Sequence, residues 1–342
     1  MCGRRYQTPG RVRTPNRAEG GFREEGLARK LQQSTIRVQQ SAFSIAEFRL
    51  LIVEVAEDTV RAMKRYIFSL LACATTSFAG DFAGDAGLQL YSLRDIFKKD
   101  AAGALDKVKA FGVKSVETYN TPSPAPAELR KLLDERGIKA VSGHFGYDMF
   151  QKDSAGVVAS AKALGLEYVG VAWIPHTVAE FNMAAAEKAA ADFNTWGEAL
   201  AKHGLKFMYH CHGYEFKPVA EGSEKTFMDV LMEKTKPEFV AYEMDVFWVV
   251  HPGADPVKYL AKYPGRWQLM HIKDMAKTAR VGVFTGHTDV KEGVAAGTGR
   301  MDWPAILKAA AASGVKHYFI EDEHPEAATQ IPQSLKYLNT LK

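Results

Sequence analysis

The chain has 342 residues, of which 46% are apolar and 25% charged, with a formal net charge of +4. That is enough material for a sizeable core, in the proportions of an ordinary globular enzyme. The charge is uneven, because residues 1–62 carry ten Arg, one Lys and seven acidic residues, while the rest holds 33 basic and 33 acidic residues. A neutral main body gives no electrostatic footprint for nucleic acid, so no nucleic-acid partner is expected.

Residues 1–62 show no sustained pattern apart from an apolar stretch over 48–55 that would suit a helix. Lys and Arg usage then changes abruptly, with 26 Lys against seven Arg after position 62. The change coincides with Met63-Lys64-Arg65, an apolar run over 66–74 and a small-x-small site at Ser77-Phe78-Ala79. That order predicts a signal peptide over 63–79 and an exported, periplasmic or secreted protein. The run is too short for a stable membrane span. Translation is therefore expected to begin at Met63, leaving 1–62 as a spurious or disordered N-terminal extension. A buried helix over the apolar run, or lipid attachment at Cys73 after Leu70-Leu71-Ala72, are the alternatives. The mature chain would keep Cys211 as its single cysteine and have no internal disulfide.

From residue 84 to 342 the pattern is a repeated β-rich run, turn and Ala/Lys-rich helical stretch. Strands are predicted over 88–92, 115–118, 138–144, 168–172, 205–210, 239–245, 267–272 and 317–321. Helices are predicted over 101–111, 128–136, 156–164, 183–203 and 303–313, each followed by a glycine (Gly112, Gly137, Gly165, Gly204, Gly314). A helix, a left-handed glycine cap and then a strand, repeated this often, indicates an α/β protein with parallel strands. Eight such units in about 250 residues predict a single (β/α)8 TIM barrel. An open doubly wound sheet is the alternative, weakened by the lack of a glycine-rich phosphate fingerprint after the first strand.

Reactive residues of such a barrel lie at the C-terminal strand ends and in the loops beyond them. Those positions hold Glu117, His144, His210 with His212, Asp245, His271 with Lys273, and Glu321 with Glu323. His210, Asp245, His271 and Glu321 offer mixed nitrogen and oxygen donors, which suit Mn²⁺, Zn²⁺, Co²⁺ or Fe²⁺ better than Ca²⁺. Singly, each would be an ordinary polar residue at a strand end. Lys273 shares the face of His271, and beside a cation its ammonium would be destabilised, making it a proton donor or an oxyanion partner. Glu117, His212, Trp173 and Trp248 are expected to meet the substrate, with Phe145 adding to an apolar wall. Glu215 is a loop carboxylate within reach of the site, and Cys211 should point away and be inert.

These residues resemble the sugar phosphate isomerase/epimerase family, the xylose isomerase-like barrels that include the AP-endonuclease family 2 relatives. The resemblance spans about 87–341. It rests on Leu88-Gln89-Leu90-Tyr91-Ser92, Val116-Glu117, Ser142-Gly143-His144, Tyr209-His210-Cys211-His212 with Glu215-Phe216, Asp245-Val246-Phe247-Trp248, His271-Ile272-Lys273-Asp274, Gly297-Thr298-Gly299 with Met301-Asp302-Trp303, and Phe319-Ile320-Glu321. It implies one divalent metal ion, Mn²⁺ first, on His210, Asp245, His271 and Glu321. It also implies two metal-bound glutamates exchanging a proton on either face of an enediolate. Here the fifth-strand glutamate is replaced by His210, and Trp248 stands where many epimerases carry His.

The expectation is thus a metal-dependent enzyme removing a proton next to a carbonyl of a sugar or keto-glycoside, with isomerisation, epimerisation or elimination as outcome. Glu321 would be the base, His144 and Lys273 would assist, and Glu215 or Glu323 would supply a second carboxylate. Export disfavours a phosphorylated substrate, and an oligomer is compatible with the sequence. The alternatives are a non-catalytic carbohydrate-binding barrel and a phosphodiesterase of AP-endonuclease type.

Overall fold

The computed structural model describes residues 86–120, 123–177 and 180–341. The expected extension over 1–62 and the expected signal peptide over 63–79, with Cys73, lie outside the described residues. Ten strands follow in chain order: β1 (Ala86–Gln89), β2 (Ser115–Tyr119), β3 (Lys139–His144), β4 (Tyr168–Val171), β5 (Lys206–His210), β6 (Val240–Asp245), β7 (Trp267–Ile272), β8 (Asp274–Met275), β9 (Gly293–Val294) and β10 (His317–Ile320). Eight of them close a barrel in the order β1-β10-β7-β6-β5-β4-β3-β2, with parallel pairing throughout. The remaining two, β8 and β9, pair antiparallel in the long loop after β7. Among the described residues no helix is long and apolar enough to cross a membrane.

Local chemistry sets the helix ends. Asp100, Asp153, Asn182 and Asp302 each accept a backbone N–H three residues on, capping helices Ala101–Ala110, Ser154–Leu164, Met183–Ala201 and Trp303–Ser313. The second and fourth of these end on Gly165 and Gly314 at φ 74° and 92°. Only glycine adopts that region without steric cost, which is why the chain can reverse there into the next strand.

Two elements depart from expectation. The first strand stops at Gln89 instead of Ser92, because the Gln89 side chain accepts the Tyr91 N–H and starts a 3-10 turn over Leu90–Leu93. A short helix, Val246–Val250, follows β6 although its residues are β-branched or aromatic; Asp245 caps it through the Trp248 N–H at 3.1 Å. Tertiary context there overrides intrinsic propensity.

Strand periodicity builds the interior in tiers. Met208, Ala241, Leu269 and Phe319 pack with Val141 and Tyr168 into a buried cluster separate from the main core. Each such side chain contributes about 1.5–3 kcal/mol on burial. Two residues further along the same four strands stand His210, Glu243, His271 and Glu321, and two further again His212, Asp245, Lys273 and Glu323. Because alternate residues share a face, an apolar floor carries two polar tiers that rise toward the C-terminal mouth. Intervening residues such as Tyr209, Met244, Met270 and Ile320 join the main core outside the barrel, under the helices.

Candidate active site

The first polar tier converges on His271, whose side chain is wholly buried. Its Nδ1 stands 3.1 Å from His210 Nε2, 3.3 Å from Glu321 Oε2 and 3.7 Å from Asp245 Oδ2. Its Nε2 stands 2.7 Å from Glu117 Oε1 and 3.3 Å from Glu243 Oε2. Two four-residue donor sets therefore share this ring: His210, Asp245, His271 and Glu321, and Glu117, His144, Glu243 and His271, each set having its donor atoms within 4.8 Å of one another.

Asp245 shows why the first set suits a cation. One carboxylate oxygen, Oδ1, is fixed by the Trp248 N–H, while Oδ2 is buried with no hydrogen-bond partner. It lies 3.5 Å from His210 Nε2 and 3.8 Å from Lys273 Nζ. A buried carboxylate oxygen left unpaired is costly, and a bound cation removes that cost. Two imidazoles and two carboxylates also match the donor chemistry of Mn²⁺, Fe²⁺, Co²⁺ or Zn²⁺.

The protonation pattern follows from these contacts. Burial alone would push the carboxyls up, but Lys273, His210 and His271 hold Asp245 down to about 2. Lys273 and His271 likewise hold Glu321 well below its usual range, and His271 and His144 lower Glu243. Burial would depress His271, yet Glu243, Glu321 and Glu117 outweigh it and raise the ring well above its ordinary value. His144 is raised too, against burial, by Glu117 and Glu243. For His212 the balance reverses: burial, then His210 and Lys273, outweigh Asp245 and Glu321 and keep it well below the usual imidazole range.

Lys273 lies among carboxylates. Its ammonium is 3.0 Å from Glu321 Oε2 and 2.5 Å from Glu323 Oε1. Burial works against the charge, but Glu321, Glu323 and Asp245 prevail and raise its pKa well above normal. With those partners in place the ammonium is a clamp on carboxylates.

A cavity of about 330 Å³ opens over this cluster, lined by His144, His210, His212, Trp173, Glu321 and Glu323, with aromatic rings from Tyr91, Tyr119, Phe145 and Tyr147. The size lies at the small end of ligand sites. Among the described residues, no Lys or Arg lines the cavity. Six of the sequence candidates do not line it: Asp245, His271 and Lys273, whose contacts are given above, and Glu117, Trp248 and Glu215. Glu117 lies beneath, accepting Gln89 Nε2–H and Ser142 Oγ–H at 2.6 Å each. Trp248 is buried behind His212, the two rings stacked 4.8 Å apart. Glu215 faces the outer core, where it accepts the Tyr209 hydroxyl and the His212 N–H, and Cys211 is buried with it in that core.

Sequence reading singled out neither Glu243 nor the Gln89 and Ser142 pair that secures Glu117. Glu243 lies mid-strand, one step before the strand end that attracts attention. Its parity with Asp245 was the available signal.

Comparison with known proteins places the chain in a family. The inosose dehydratase of Clostridium botulinum (strain Alaska E43 / Type E3) is 23% identical over 261 residues, covering 68% of this chain and 86% of that protein. A sugar phosphate isomerase/epimerase from Parabacteroides distasonis ATCC 8503 superposes with a TM-score of 0.62 at 24% identity, covering 77% of this chain and 96% of its own. The IolI protein, solved with a bound zinc atom, gives a TM-score of 0.56 at 14% identity over 75% of this chain and 96% of its own. At these identities the structural likeness is one of fold. Residues 105–341 match the family model described as the xylose isomerase-like TIM barrel, and the chain belongs to that family.

Proposed function

We propose that the chain is a divalent-metal-dependent enzyme that removes a proton next to a carbonyl of an unphosphorylated sugar, keto-glycoside or related cyclic polyol ketone, and that its outcome is elimination. His210, Asp245, His271 and Glu321 would hold the ion, with Mn²⁺ the first choice and Zn²⁺, Co²⁺ or Fe²⁺ served by the same donors. When bound, a divalent ion supplies Lewis-acid polarisation of the substrate carbonyl, which acidifies the adjacent C–H. The zinc-bound IolI relative is consistent with a metal in this fold.

The observation carrying the elimination reading is where the cavity's titratable groups stand. Glu321 and Glu323 come from one strand end and share Lys273. In the barrel order β3 is separated from β10 by β1 and β2, so His144 enters the cavity from a different side, whereas His210 shares with Glu321 a donor set whose atoms lie within 4.8 Å. Epimerisation by proton exchange on two faces calls for a proton-transfer group on each, and the fifth-strand position holds His210 in place of the expected glutamate. Carboxylate on one side and imidazole on the other suits removal of a carbon-bound proton by Glu321 and delivery of a proton from His144 to a departing hydroxyl or alkoxyl. The C–H electron pair becomes the new C=C bond as the C–O bond breaks, so the product is an α,β-unsaturated ketone plus water or alcohol. His144 is oriented for this because its Nε2 is engaged by Glu243 at 2.9 Å and Glu117 at 3.1 Å. Its pKa is raised against burial by Glu117 and Glu243, a shift that favours the proton-carrying form.

The absence of Lys and Arg from the lining favours a neutral substrate over a sugar phosphate. Export through residues 63–79, proposed from sequence, favours the same class. Incubation of Mn²⁺-loaded protein with keto-cyclitols and keto-glycosides, followed by ultraviolet absorbance and mass spectrometry, tests the reading. An enone lighter by water or alcohol is expected; an epimer or isomer of unchanged mass would overturn it.

A further inference from the structure

His271 belongs to two donor sets, and a ring has one nitrogen for each. Which set receives a cation depends on where the ring carries its proton. Nε2 is 2.7 Å from Glu117 Oε1, and a carboxylate oxygen accepts, so Nε2 must donate. Glu117 cannot turn away: Gln89 Nε2–H also reaches Oε1 at 2.6 Å, Ser142 Oγ–H reaches Oε2 at 2.6 Å, and all three side chains are buried. His144 Nε2, at 3.1 Å from Oε1 and 2.9 Å from Glu243 Oε2, donates into the same set. A cation placed there would have to displace donors that already satisfy Glu117. The other set differs in the oxygen that faces it: Asp245 Oδ2 has no hydrogen-bond partner, whereas the Glu243 oxygen facing the Glu117 set, Oε2, is already taken by His144 at 2.9 Å and only Glu243 Oε1 is unpartnered.

We propose that Glu117 is a positioning residue for the metal, acting through His271, and not a ligand of a second ion. Glu117 holds the proton on Nε2 and fixes the ring plane with Nδ1 toward His210, Asp245 and Glu321, so that a cation entering that set takes the place of the Nδ1 proton that Glu321 Oε2 otherwise accepts at 3.3 Å. Gln89 and Ser142 hold Glu117 in turn. This rests on the metal reading above and adds to it a ligand-orienting shell of β1, β2 and β3. Partners of a metal-bound imidazole typically change metal affinity 10–100-fold when removed.

The test is titration of metal-free protein with Mn²⁺ and with Zn²⁺, following stoichiometry and dissociation constant, together with NMR of the Zn²⁺-loaded protein for the His271 ring proton. Wild type should take one equivalent and show a slowly exchanging Nε2–H. Glu117→Gln should keep one equivalent, bind it about 10–100-fold more weakly and lose the protected ring proton, with partial return of affinity in Glu117→Asp. Two equivalents in wild type, falling to one in Glu117→Gln, would make Glu117 a ligand of a second ion and overturn the proposal. Unchanged affinity in a folded Glu117→Gln would overturn it too. Should that variant not fold, wild-type stoichiometry and the ring-proton signal still decide. Absence of any stoichiometric binding by wild type would instead remove the metal reading itself.

Discussion

Two sets of buried carboxylates lie within a few residues of each other and behave oppositely. In the mouth, burial acts to raise Asp245, but Lys273, His210 and His271 hold it down to about 2. Five residues after His210, Glu215 is equally buried, yet its donors are the Tyr209 hydroxyl and the His212 N–H. Burial prevails there and pushes it up to about 7. The difference teaches that depth does not set the charge of a carboxylate here; positive partners at contact distance do. The mouth concentrates negative charge where a cation can be received, whereas Glu215 is a nearly neutral anchor for the segment carrying His212.

The largest effect should come from Asp245→Ala, which removes the unpaired oxygen at the centre of the first donor set. Stoichiometric Mn²⁺ binding is expected to vanish in a titration of the folded variant, and retention at wild-type affinity would break the assignment. Glu321→Gln should come next, lowering kcat by about 10²–10⁴-fold as the general base is lost. His144→Asn should slow elimination by about 10²-fold while leaving exchange of the substrate α-proton with solvent largely intact, since its role is at the leaving group. Equal loss of both rates would move His144 to the proton-removal step.

The smallest effect sharpens the other side of the comparison. Folded Glu215 keeps its proton up to about pH 7, whereas the unfolded residue loses it near 4.5. Unfolding therefore releases a proton between those values, so this residue's contribution to stability falls as pH rises from about 4.5 to about 7 and is level above. The difference amounts to about 3 kcal/mol. Glu215→Gln should lack this dependence, so the Tm difference between variant and wild type should grow in the variant's favour from pH 5 to 7.5. A constant difference would mean that Glu215 is ionised in the folded protein at every pH sampled.

Much of this architecture was legible in the sequence because local chemistry repeats. Gly165 and Gly314 end helices where a strand must follow, and the eight β-rich runs recur at barrel spacing. The residues brought together at the mouth were visible as polar strand ends, since alternation places His210, His271 and Glu321 above apolar Met208, Leu269 and Phe319. Glu243 escaped because, although it shares their tier, it lies inside its strand, two residues before the strand end at Asp245. The behaviour of Lys273 escaped for a different reason: Glu321 and Glu323 reach it from about 50 residues away in sequence, and only folding brings the three charges together. Glu215 looked like a loop carboxylate within reach of the site. Its orientation depends on Tyr209, whose outward parity sends the hydroxyl, and with it the carboxylate, to the far side of β5.

Solvent-deuterium exchange at the carbon beside the substrate carbonyl tests the central claim most directly, with a keto-cyclitol or keto-glycoside in D₂O before chelation, after it, and after return of Mn²⁺. The account predicts exchange by the loaded protein, its disappearance on metal removal and its recovery on reconstitution. Exchange that persists in metal-free protein, or that never occurs with loaded protein across the panel, would contradict it.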